Sequence, residues 1–109
     1  MPRSSIGRTM SESEPPKIRV APAYWITHDD KQYILEVELP GVSKENIELD
    51  ATEESLCVKG TREDIEYTVC WSFAHAVDPK KAEAEYKEGI LTLKLPFRRS
   101  IKTSKIPVK

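Results

Sequence analysis

The sequence predicts an all-β fold, a two-sheet antiparallel sandwich, on three observations. Apolar and polar residues alternate over short runs, as they do in strands with one face buried and one in water. No window carries an apolar stripe at the 3.6-residue helical period. Turn-forming residues interrupt the runs at intervals of about 8 to 12 residues, which suits about seven short strands in a sandwich better than a barrel or a parallel α/β sheet. At 109 residues the chain makes one domain rather than two.

Residues 1–20 are rich in Ser, Glu, Arg and Pro, with Ile6, Met10, Ile18 and Val20 as scattered apolar residues. That is too little apolar surface to offset the entropy of ordering, so a disordered N-terminal arm is expected. The sandwich is expected over residues 21–97. It starts with Ala23–His28, whose Tyr24, Trp25 and Ile26 suit an edge strand. Gln32–Leu39 alternates Tyr33, Leu35, Val37 and Leu39 against Glu36 and Glu38, a half-buried strand.

Pro40-Gly41 ends that run, because proline lacks the ladder donor and glycine takes positive φ easily. Ser43 is placed to cap a single turn before Ile47–Ala51. A tight turn at Thr52, Glu53 and Glu54 leads to Leu56–Gly60, and these two strands read as a hairpin. Ile65–Phe73 is the most regular alternation in the chain, with Ile65, Tyr67, Val69, Trp71 and Phe73 on one face.

Asp78-Pro79 opens a connecting turn, and Ala82–Lys87 and Ile90–Leu95 flank the two-residue turn Glu88-Gly89. Pro96 stops the last strand. Residues 98–109 form a basic, flexible tail holding Arg98, Arg99, Lys102 and Lys105 before Ile106-Pro107-Val108-Lys109.

The composition excludes several function classes. A net charge of -1 argues against a strongly basic nucleic-acid binder, and the basic tail has no aromatic residue beyond Phe97 on which a base could stack. No stretch reaches the roughly 18 apolar residues of a membrane span, and no apolar signal core follows Arg3, so a cytoplasmic location is expected.

Gly41, Gly60 and Gly89 are isolated, so no glycine-rich loop offers successive amides to a phosphate and no nucleotide cofactor is expected. His28, His75, Cys57 and Cys70 lack metal-ligand spacing. Cys57 and Cys70 sit inside alternating runs and read as two small separate hydrophobes in a reducing compartment. Cys70 with His75 is the one nucleophile–base pairing to consider, and Asp29-Asp30 reads as a solvated turn because adjacent side chains on an extended chain diverge. No catalytic site is expected. Ile106-Pro107-Val108 is suited to binding, since alternate apolar side chains on an extended segment can enter neighbouring pockets at a sheet edge.

The segments LPGV (Leu39–Val42), VD (Val77-Asp78) and AEYKEGILTLKLP (Ala84–Pro96) together resemble the α-crystallin domain of small heat-shock proteins over about residues 22–96. The family's A-x-x-x-N-G-V-L is matched by Ala84 to Leu91, with Glu88 in the Asn position, and Ile106-Pro107-Val108 is similar to its C-terminal I-x-I motif.

The resemblance implies an immunoglobulin-like sandwich and an ATP-independent holdase that binds partly unfolded polypeptides and prevents their aggregation. It also implies a homo-oligomer joined by the tail, with Ile106 and Val108 docking in a groove along Ile47 and Leu49 on one side and Tyr86, Leu91 and Leu93 on the other.

The chain departs from the family in three places. Only Arg62 to Ile65 separate two strands where prokaryotic members carry a long loop with an exchanged strand. Val69 and Ala74 stand where an arginine and a proline are common, and the arm lacks aromatic residues. The short loop is compatible with the related CS-domain co-chaperones, which bind a folded partner; the alternative expectation is such an adaptor module.

Overall fold

The computed structural model describes residues 17–99 and 104–109. Among the described residues eight strands form two four-stranded sheets: β1 (Ile18–Val20), β2 (Tyr24–His28), β3 (Gln32–Glu38), β4 (Ile47–Ala51), β5 (Ser55–Arg62), β6 (Ile65–Ser72), β7 (Glu83–Lys87) and β8 (Ile90–Pro96). One sheet has the order β1-β6-β5-β4 and the other β2-β3-β8-β7. Single 3-10 turns at Lys44–Asn46 and Pro79–Lys81 sit on the connections between the sheets. Ser43 stands at the first without a side-chain cap, whereas the Asp78 carboxylate accepts from the Lys80 amide at the second.

Alternation decides which face of each strand is core. Tyr33, Leu35, Val37 and Leu39 are buried on β3 and just beyond it, and Leu56 and Val58 on β5 meet them from the opposite sheet. Leu91, Leu93 and Leu95 of β8 complete the apolar layer. Burying each such side chain is worth about 1.5–3 kcal/mol, which makes this layer the main stabilising feature. Tyr33 closes one end, stacked on Phe73 with ring centroids 4.7 Å apart and edge-on to Phe97 at 4.9 Å.

Turn chemistry sets the registers. The Asp29 carboxylate accepts from the amides of Lys31 (2.7 Å) and Gln32 (2.9 Å), closing the β2–β3 hairpin. These bonds hold its pKa below the ordinary carboxylate value. Thr52 and Ser55 bond through their hydroxyls at 2.8 Å in the β4–β5 turn. Glu88 and Gly89 both take positive φ, 52° and 81°, as a two-residue hairpin turn requires. Gly41, at φ 79°, also packs so close that an added Cβ would lie 2.9 Å from Arg62 Cδ.

Three expectations are corrected. Ile18–Val20, placed in a disordered arm, forms β1, which runs parallel to β6 with Ile18 opposite Ile65 and Val20 opposite Tyr67. An ion pair between Arg19 and Glu66 (3.3 Å) and the Ile18 amide bond to the Asp64 carbonyl (2.7 Å) hold it there. The rest of the expected arm, residues 1–16, lies outside the described residues.

Cys57 and Cys70 are joined in a disulfide rather than standing apart, because β5 and β6 set them directly opposite with Cα atoms 4.1 Å apart. Arg98, placed in the flexible tail, is held to the domain by Glu53 at 2.6 Å and by its amide bond to the Ala76 carbonyl. The Glu53 bond raises the Arg98 pKa further above its ordinary value.

Candidate functional site

β4 and β7 are the terminal strands of their two sheets. Between these borders lies a cleft of about 180 Å³, lined by Ile47 and Leu49 of β4, Ala84 and Tyr86 of β7, Leu91 of β8 and Lys44 of the preceding turn. Alternation on β4 sends Ile47 and Leu49 to the cleft and Glu48 and Asp50 away from it. Leu49 remains 37% exposed, whereas Leu91 is buried and forms the floor.

Tyr86 is the fixed wall. Its hydroxyl lies 2.6 Å from the Leu39 carbonyl and 2.7 Å from the Val42 carbonyl, and its single proton serves one at a time. The segment Leu39–Val42 after β3 thereby tethers the ring across the end of the sandwich.

The cleft is apolar inside, with Lys44 the one charged residue of its lining; Glu48, Asp50, Glu83 and Glu85 are exposed and alternate with the lining residues along β4 and β7. It is smaller than the roughly 300 Å³ at the low end of small-molecule sites. Its chemistry suits a few aliphatic side chains on an extended segment.

Of the residues expected at this site, Ile47, Leu49, Tyr86 and Leu91 are brought together here. Leu93 is not: it is only 2% exposed, lies in the core and does not line the cleft. Ile106 and Val108 are 85% and 96% exposed, on a segment without regular structure that does not touch the cleft. Ala84 and Lys44 were not anticipated. Ala84 precedes Tyr86 by two residues on the same strand face, a period-two signal present in the sequence.

The remaining candidates do not assemble. The Cys70 sulfur is bonded to Cys57, which removes the thiol that His75 would have activated. The His75 ring packs edge-on to Phe97 at 5.8 Å, and its amide donates to the Tyr33 hydroxyl at 3.3 Å. Among the described residues no three His, Cys, Asp or Glu side chains gather as a metal site would need, and no helix is long and apolar enough to cross a membrane.

A second, polar cavity lies by Gly41, Ser43, Asn46, Arg62 and Glu63. The Arg62 guanidinium beside it already donates to Glu63 at 3.1 Å and to the Tyr67 hydroxyl at 3.4 Å.

The family model described as Hsp20/alpha crystallin matches residues 25–109. The small heat shock protein C4 of Rickettsia felis is 32% identical over 105 residues, covering 82% of this chain and 64% of that protein, so the chain spans less than two thirds of it. A probable 15 kDa heat shock protein of Leptospira interrogans is 28% identical over 116 residues, covering 93% of this chain and 88% of its own length.

Heat shock protein 16.0 from Schizosaccharomyces pombe superposes with a TM-score of 0.70 at 22% identity, over 83% of this chain and 99% of that one. A small heat-shock protein from Xylella fastidiosa superposes with a TM-score of 0.65 at 20% identity, over 83% and 97% of the two chains.

Proposed function

The chain belongs to the Hsp20/alpha crystallin family, which supports a chaperone role, and from that premise we propose that it is an ATP-independent holdase. It binds partly unfolded polypeptides through uncovered apolar borders and assembles through its own tail. The observation that carries this reading is the match between the β4–β7 cleft and Ile106-Pro107-Val108.

Three pairs of residues share one spacing. Ile47 and Leu49, Ala84 and Tyr86, and Ile106 and Val108 are each two positions apart, which on extended chain is about 7 Å. Pro107 has no amide hydrogen and fixes its own φ in the extended range, so the segment loses less freedom when it docks as an extended chain. A neighbour's tail in this cleft accounts for an oligomer without the exchanged strand that the short connection at 62–65 lacks.

A model client heated with increasing amounts of the chain, without nucleotide, tests the chaperone reading by light scattering. Suppression of aggregation at near-stoichiometric amounts is expected. Unsuppressed scattering, together with capture of one folded partner by a monomer, would favour the adaptor reading instead.

A further inference from the structure

Cys57 and Cys70 face away from the core. Their chain neighbours Leu56 and Val58 are 1% and 0% exposed, so strand alternation turns the disulfide to the outer face of the sheet, with Cys57 half-buried and Cys70 exposed. Exposed disulfides are open to thiolate attack, and buried ones are not.

The two sulfurs differ in access. Cys57 lies between Cys70 on one side and Asp50 of β4 on the other. Beyond Cys70 no strand pairs with β6 among the described residues, because β1 covers it only from Ile65 to Tyr67, and Tyr24 packs on the adjacent Trp71, whose side chain alternates to the other face. A thiolate displaces a sulfur by approaching along the S–S axis from the far side. That path to the Cys70 sulfur runs over the open flank of β6, whereas the path to the Cys57 sulfur runs over β4.

The sandwich does not hang on this bond. β5 and β6 are paired continuously from Ser55 opposite Ser72 to Arg62 opposite Ile65, and the core contacts of Leu56, Val58 and Tyr67 lie on the other face.

We propose that the Cys57–Cys70 pair is a thiol–disulfide exchange site, opened at Cys70 by low-molecular-weight thiols and closed again while the domain stays folded. In the first step a thiolate bonds to the Cys70 sulfur, the protein disulfide breaks, and Cys57 leaves with the electron pair and takes a proton from water. In the second, another thiolate attacks the external sulfur of the mixed disulfide and releases Cys70. Two thiols are oxidised to one disulfide, and the protein pair gains their two electrons and two protons.

The full chain equilibrated in glutathione buffers of graded thiol-to-disulfide ratio, then alkylated and weighed, tests this. The reduced fraction is expected to follow the ratio in both directions with the β-sheet circular dichroism retained. Cys57→Ser is expected to take up glutathione on Cys70 several-fold faster than Cys70→Ser takes it up on Cys57.

A disulfide that opens only in denaturant, loss of the β spectrum on opening, or thiols that do not join under oxidising buffer would overturn the proposal. Equal uptake by the two variants would overturn entry at Cys70. The wild-type titration decides the matter if either variant does not fold, and its failure leaves the holdase reading untouched.

Discussion

Tyr86 joins stability to binding in one side chain. Its ring walls the cleft while its hydroxyl bonds the chain at Leu39 and Val42. Tyr86→Phe leaves those carbonyls short of a donor and is expected to destabilise the domain by about 1–2 kcal/mol, read from urea unfolding. The cleft keeps its apolar wall in that variant.

Asp29 gives a pH signature. Its pKa is held below 3.8 by the Lys31 and Gln32 amides, so its contribution is in force above that value and is lost as pH falls through the lower folded value. In acid titrations followed by circular dichroism, Asp29→Ala is expected to be less stable than the parent at neutral pH. The gap should narrow as the solution becomes more acidic than pH 3.8. Both roles lay within reach of sequence reasoning only in part: Asp29 as a turn residue was legible, the two carbonyl partners of Tyr86 were not, because they lie more than 40 residues away.

Among the elements, the β7–β8 turn shows where a local rule and the sequence disagree. Glu88 takes φ 52° in a position the family fills with Asn, and a side chain with a Cβ is strained there by about 1–2 kcal/mol. Glu88→Gly is therefore expected to stabilise the domain by up to about 1–2 kcal/mol and Gly89→Ala to destabilise it similarly, read as a raised and a lowered midpoint in thermal melts.

The β5–β6 hairpin carries the complementary lesson. Its turn is Glu63-Asp64, and a two-residue turn pairs residues equidistant from it, which puts Cys57 opposite Cys70. The signal for the disulfide was thus in the sequence, and it needed the turn to be placed before the cysteines were judged. β1 had no such signal, since three residues with one charge between two apolar side chains fit an arm as well as a strand.

For the whole molecule, assembly should depend on the tail and on the cleft together. Replacing Ile106 and Val108 by Gly removes two apolar anchors worth about 1.5–3 kcal/mol each when buried. The molar mass from light scattering is expected to fall while the circular dichroism is unchanged, and Leu49→Glu in the receiving cleft is expected to give the same result. An unchanged mass in both would refute tail docking.

The alternating pattern by itself determined the sandwich, because a period of two makes one face of each strand apolar and leaves only a sheet packed on a sheet to bury it. Seven of the eight strands and the residues on β3, β5 and β8 that form the core follow from that pattern. Only the tertiary structure decided that β1 pairs in parallel with β6 and that, in the groove the family resemblance implied, Leu91 forms the floor while Leu93 is sealed in the core. Those facts depend on which distant segments become neighbours, and a local pattern fixes the face a side chain takes without fixing what lies across from it.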